Sequence, residues 1–193
     1  MLIIVFSICV HEYAHAAMAL RMGDDTAARM GHLTLNPLRQ MGARSLVMLA
    51  ILGIAWGSVP VQPRQLSRGS RALVSFSGPG SNALLCALCS FAASAVYFFT
   101  RTIEGAGSVL LLAASANGVL FILNMLPMPG LDGWTILSGL FPRLERVRLS
   151  PAVTLVLFLL LIGSPLLLLI WDEGFQLAAF LYDICVRLIF GVR

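Results

Sequence analysis

Lysine is absent from this 193-residue chain, and charge of either sign is scarce. Asp, Glu, Lys and Arg together make up 11% of the residues, against about 25% in soluble domains. That shortage argues against an ordinary soluble globule. It also excludes a disordered chain, which needs high charge and few apolar residues; here 59% are hydrophobic. Internal repeats and low-complexity linkers are missing too. Cysteine is sparse, and Cys9, Cys86, Cys89 and Cys185 all lie in apolar runs, where they read as small hydrophobes. Cys86 and Cys89 have redox or zinc spacing but no second pair, so neither a disulfide framework nor a cysteine zinc site is indicated. The first ten residues lack the basic start and small-residue cleavage site of a signal peptide, and their run continues through His11-Glu12.

What is present is length without charge. Leu2–Leu20 could span a bilayer, for which about 20 residues suffice. A polar segment follows, from Arg21 to Arg44, with turn signals at Gly23-Asp24-Asp25, Gly31-His32 and Asn36-Pro37. Within it, Leu33-Thr34-Leu35 predicts a short strand. Ser45–Val59 is apolar but shorter than the minimum of about 17 residues for a span. Ala72–Thr100 is predicted to break at Gly78-Pro79-Gly80, with a spanning helix starting near Pro79. Ser108–Leu126 is the next run, stopped by Pro127, Pro129 and Gly130. A basic loop, Phe141–Leu149, leads to Ser150-Pro151, a cap and first-turn pair that opens a span to Trp171 kinked at Pro165. The tail, Phe175–Val192, reads as a poor span or an interfacial helix, with Asp183 and Arg187 at i, i+4.

The arginines decide the topology. If Ser45–Val59 spans, the loop arginines divide five against six. If it dips in and returns, they divide ten against one, which the positive-inside rule prefers. The net charge of +4 therefore reads as membrane orientation, not as a nucleic-acid surface. The fold class expected is an all-α polytopic membrane protein: about four to five transmembrane helices, a re-entrant segment and a short membrane-associated β element. Residues 1–193 are expected to form one membrane-embedded domain, with its core at about 1–141 and C-terminal helices at 150–193.

His11-Glu12-Tyr13-Ala14-His15 carries the chemistry. Histidines four apart share a helix face and can grip one metal ion, and Glu12 between them is placed to act as general base. Zinc suits two imidazoles, a carboxylate and an open position for water. Charged groups in a membrane span cost on the order of 2.5–3.5 kcal/mol each, so such a cluster needs a compensating partner. Candidates for the third ligand are Asp24, Asp25, His32 and Asp132. The first two read as turn residues and His32 as an interfacial loop residue. Asp132 follows the helix break at Pro127–Gly130, and irregular backbone at membrane depth is tolerated where it lines a cavity. Asp132 is therefore favoured.

With these residues in view, the chain resembles the site-2 proteases, intramembrane zinc metallopeptidases, of the compact bacterial type without PDZ or CBS domain. Four blocks carry the resemblance: His11–His15; Gly31-His32-Leu33-Thr34-Leu35-Asn36-Pro37; Gly78-Pro79-Gly80-Ser81-Asn82; and Asn124–Gly133 with its Pro127, Pro129 and Asp132. The resemblance implies that His11, His15 and Asp132 bind zinc (Zn2+) and that Glu12 is the catalytic base. It implies that Asn82, with Asn124 close by, serves the substrate or its developing oxyanion. It makes Leu33–Asn36 a β element that presents an extended substrate. The expected function is hydrolysis of a peptide bond in or near the transmembrane segment of a single-span membrane protein, such as an anti-sigma factor or membrane-tethered regulator. The expected location is the bacterial inner membrane. The competing readings are a membrane metal-ion transporter using the same His/His/Asp site, which would favour an inverted repeat that is not seen, and a catalytically dead adaptor.

Overall fold

The computed structural model describes residues 1–141, 143–147, 149–189 and 191, with backbone only for residues 145, 151 and 189. Nine α-helices occur among the described residues: α1 Leu2–Arg21, α2 Thr26–Arg29, α3 Pro37–Gln40, α4 Gly42–Leu52, α5 Arg68–Thr100, α6 Ala106–Met125, α7 Asp132–Leu140, α8 Pro151–Ile162 and α9 Pro165–Ile184. Four stretches are long and apolar enough to cross a membrane: Leu2–Arg21, Arg68–Thr100, Ala106–Met125 and Pro165–Leu188. Such helices satisfy every backbone polar group within the segment, which a bilayer demands. This is a helical membrane protein.

The chain groups into two compact units. The first comprises Met1–Ser81 and Asn124–Thr154. In it α1 packs against α2 and α3, and Ala19, Leu66 and Val74 form a buried cluster flanked by Met18, Met22 and Val61. The second comprises Asn82–Leu123 and Leu155–Arg193. There α6 and α9 meet at two glycines: a Cβ on Gly118 would lie 2.7 Å from the Gly174 carbonyl oxygen, and one on Gly174 would lie 2.6 Å from the Val119 nitrogen. Close backbone approach through small residues is how helices associate in lipid. Cys86, Ala114 and Ala178 are buried in the same unit, and the Ser90 hydroxyl donates across to the Ala178 carbonyl at 3.2 Å. All four cysteines are free thiols; Cys9 and Cys86 are buried and the other two half-buried.

Three expectations change, while the run at 45–59 folds as a short helix with an extended return. The run at 45–59 is not a straight helix. α4 lies between two glycines in the left-handed region, Gly42 (φ 74°) and Gly53 (φ 70°), and the chain then returns. The Ser45 hydroxyl donates to the Trp56 carbonyl at 2.6 Å and accepts the Trp56 N–H at 2.9 Å, and Ser58 N–H donates to the Gln40 carbonyl at 3.1 Å. The two ends of the run thus lie side by side. The predicted break at Gly78-Pro79-Gly80 is instead interior helix, because α5 runs through Pro79. A proline costs one N–H there, and helices in membranes tolerate that loss.

No strand forms among the described residues, and the Leu33–Asn36 β element is replaced by irregular backbone. The reason lies in the side chain of Gln40, which is buried. Its amide donates to the carbonyls of His32 (2.8 Å) and Thr34 (2.5 Å), groups a sheet ladder would have paired. The span ending at Trp171 also moves. α8 ends at Ile162, and Pro165 starts a new helix that carries Asp172 and Glu173 inside it, exposed, rather than in a loop. Asp172 accepts from Gln176 one turn on, at 2.7 Å. The tail from Phe175 is therefore the second half of α9, to Ile184, and a π-helical turn, Cys185–Ile189; Phe190 and Val192 lie outside the described residues, as do Pro142 and Arg148 of the basic loop. Asp183 and Arg187 pair at 2.8 Å as their spacing predicts.

Candidate metal centre

α1 is apolar over its first nine residues, then presents His11, Glu12 and His15 one turn apart, all buried. Asp132 reaches them because α6 ends at Met125 and α7 restarts at Asp132 itself. The turn between requires glycine twice. Gly130 sits at φ 99°. A Cβ on Gly133 would collide with the Met125 and Leu126 carbonyl oxygens. With bare backbone there, the first turn of α7 nests against the end of α6.

His11 Nε2 and His15 Nε2 are 3.0 Å apart, and Asp132 Oδ2 lies 3.1 Å from the first and 3.3 Å from the second. A tetrahedral ion bonded at about 2.0–2.1 Å wants donor atoms about 3.3 Å apart, so the triangle fits zinc. The tautomer is set as well. His15 Nδ1 lies 2.7 Å from the Val74 carbonyl, which can only accept, so Nδ1 carries the proton and Nε2 turns its lone pair inward. The Ser77 hydroxyl donates to the same carbonyl at 2.6 Å. Asp132 supplies the carboxylate oxygen of the trio, the anionic ligand that a cation needs.

A second observation bears on fit. Gly78, on α5, faces the histidines. A methyl carbon there would lie 2.6 Å from His11 Nε2 and closer still to His15 Nε2. The one residue type that leaves this space empty stands where the metal would sit. Glu12 is walled in the same way by Gly57 of the returning segment, since a Cβ on Gly57 would collide with the Glu12 carboxylate.

The other expected ligands are engaged elsewhere. Asp24 accepts from Thr26 N–H (3.0 Å) and Gln62 N–H (2.6 Å); Asp25 pairs with Arg29 at 2.9 Å; His32 Nδ1 contacts Gln40 Oε1 at 3.4 Å. Asn124 is half-buried in the last turn of α6, within the unit that holds the centre. Asn82 belongs to the second unit, where it is fully buried and its Nδ2 donates to Asn117 Oδ1 at 2.9 Å. Sequence reasoning missed Gly57, Gly78 and the Val74 carbonyl. Gly78 stood in the sequence as part of a helix break and of the Gly78–Asn82 block that carries the resemblance, with no role of its own at the site.

Two histidines and an adjacent glutamate on a membrane-length helix, met by an aspartate from α7, define a class, the helical membrane metallopeptidases. Comparison with known proteins agrees. The chain is 33% identical over 181 residues, 84% of its own length and 79% of the other, to a Bacillus subtilis protein named "Putative zinc metalloprotease YwhC". Two proteins named "Putative zinc metalloprotease Rip2" also match. That of Mycolicibacterium smegmatis is 32% identical over 77% of this chain, and that of Mycobacterium tuberculosis strain H37Rv is 35% identical over 81%. The chain spans 59% and 62% of those two. No family model and no solved structure matches. The chain belongs to the site-2 protease family of zinc metalloproteases.

Proposed function

We propose that this protein is an intramembrane protease of the bacterial inner membrane that hydrolyses a peptide bond in or near the transmembrane segment of a single-span membrane protein. One observation carries the reading: the His11, His15 and Asp132 donor atoms converge on a helix long and apolar enough to cross a membrane. A zinc ion held by these three residues supplies Lewis acidity toward water and the scissile carbonyl. Glu12 is the general base. Its carboxylate takes the proton of the attacking water and returns it to the leaving amine, a role worth about 10²–10⁴ in rate. Asn124, in the compact unit that holds the centre, is the amide donor for the developing oxyanion. The Val74 carbonyl holds His15 in the tautomer that leaves Nε2 free to coordinate. The substrate class follows from the setting, since a site on a membrane-length helix is reached by a segment already in the bilayer. A membrane-anchored regulator such as an anti-sigma factor has that form, and no nucleic acid is required.

The test pairs wild type with Glu12→Gln, both purified in detergent. Bound zinc is counted, and cleavage is measured on a panel of single-span membrane peptides. Zinc near one per chain in both, with cleavage in wild type alone, is the expected result. Zinc in both and cleavage in neither would turn the reading toward metal transport, and wild type without zinc would sink it.

A further inference from the structure

Glu12 is buried yet makes no hydrogen bond or ion pair among the described residues. Packing must hold its carboxylate, and the wall it packs against is the backbone of residue 57. We propose that Gly57 is a positioning residue for Glu12: the absent side chain lets an extended strap, residues 53–62, press bare backbone onto the base and fix its direction. The inference deepens the protease reading above and rests on Glu12 being the base.

The strap is built to hold a position. Gly53, in the left-handed region, turns the chain out of α4. Ser45 then ties Trp56 at both its N–H and its carbonyl. The Gln40 carbonyl takes Ser58 N–H, on the far side of Gly57. Asp24 takes Gln62 N–H at the strap's end. The residues on either side of Gly57 are therefore each anchored to the polar segment or to α4. A Cβ at 57 would fall on the Glu12 carboxylate and also on its Cγ. Rotation of the carboxylate alone therefore gives no relief. A displaced general base loses catalysis steeply, since a shift of about 1 Å can cost about 10²-fold.

A binding readout avoids any need to know the natural substrate. The full-length, zinc-loaded protein in detergent is titrated with a peptidyl hydroxamate, which chelates zinc and shares a proton with the neighbouring glutamate. Gly57→Ala is expected to keep about one zinc per chain and to weaken hydroxamate binding at least about tenfold, the lower end for loss of an outer-shell partner. Glu12→Asp withdraws the carboxylate by one methylene. In that background, adding Gly57→Ala should change affinity by less than about twofold, the non-additivity expected of residues that act through one another. Unchanged affinity in Gly57→Ala, or equal losses in both backgrounds, would overturn the proposal, as would loss of zinc in step with affinity. Should Gly57→Ala fail to fold, Ser45→Ala unties the strap without adding bulk. It should weaken binding in the same direction with zinc retained, and wild-type affinity there overturns the proposal. A wild type that binds hydroxamate but cleaves no membrane peptide would remove the protease reading and leave the Gly57 contact standing.

Discussion

In the first compact unit, glycines 57 and 78 leave room for chemistry; in the second, glycines 118 and 174 leave room for another helix. The residue type and the geometric device are the same, but what faces the missing Cβ differs. Gly57 and Gly78 face the side chains of Glu12, His11 and His15. Gly118 and Gly174 face a neighbouring helix: the Gly174 backbone on one side, and the side chain and backbone nitrogen of Val119 on the other. The buried polar groups divide in the same way. His11 and His15 converge with Asp132 on one point, whereas Asn82 and Asn117 bridge α5 and α6 with an ordinary amide hydrogen bond. A glycine in a membrane helix is therefore uninformative alone. Its role depends on the atom opposite, which only the folded chain reveals.

The sharpest way to break this comparison is Gly78→Ala. The added methyl would occupy the space at bonding distance from two ligand nitrogens. Zinc affinity should fall by more than about 100-fold, beyond the 10–100-fold that loss of an outer-shell hydrogen bond costs. Helix content by circular dichroism should stay at the wild-type level, because alanine suits a helix better than glycine. Zinc bound as in wild type would show that Gly78 is a packing glycine like those of the second unit.

Gly174→Ala tests the other half. Two effects oppose each other. Alanine in a helix interior gains about 1 kcal/mol over glycine, while overpacking a close contact costs about 1–3 kcal/mol. The new Cβ would meet the Val119 side chain and, at 2.6 Å, the Val119 nitrogen, and the backbone nitrogen cannot move aside as a flexible side chain would. The cost should win, and thermal unfolding in detergent should shift down with zinc content unchanged. An upward shift would mean that α6 and α9 are not held at this point.

These roles sort by how far they can be read from sequence. The histidines and Glu12 are legible because their relation is local: four residues is one helical turn. Asp132 is legible because a broken apolar run beside a carboxylate is rare at membrane depth. Gly57 and Gly78 are not legible as site residues, since no spacing links residue 57 to residue 12 or residue 78 to residue 15. The β element failed for the same reason. Leu33-Thr34-Leu35 alternates like a strand, but a side chain six to eight residues away takes two of its carbonyls. The single span to Trp171 kinked at Pro165 is instead two helices, and Asp172 and Glu173 are exposed on the second, α9. Pro79 misled in the opposite sense, because the break it predicts in water is absorbed within α5.

The smallest effect concerns a carboxylate that shares the unit of the metal centre but serves as a tie. Asp24 is fully buried. Burial would raise its carboxyl, but the N–H groups of Gln62 and Thr26 and the charge of Arg29 outweigh it and hold the group below its ordinary value near 3.8. The sign follows from linkage. A carboxyl lowered in the folded state stabilises that state above the unfolded value, and the contribution is lost as pH falls through the folded one. Asp24→Asn keeps the size of the side chain and one acceptor but cannot ionise. Its thermal midpoint should lie below wild type at pH 7, and the gap should close as pH drops below about 4. Zinc content at pH 7 should not change, because Asp24 binds backbone at the far end of the strap from Gly57. A gap of equal size at pH 3 and pH 7 would mean that the carboxylate's charge contributes nothing. Loss of zinc with Asp24→Asn would place this tie among the supports of the centre itself, and the division between structural and chemical buried groups would then fail inside the first unit.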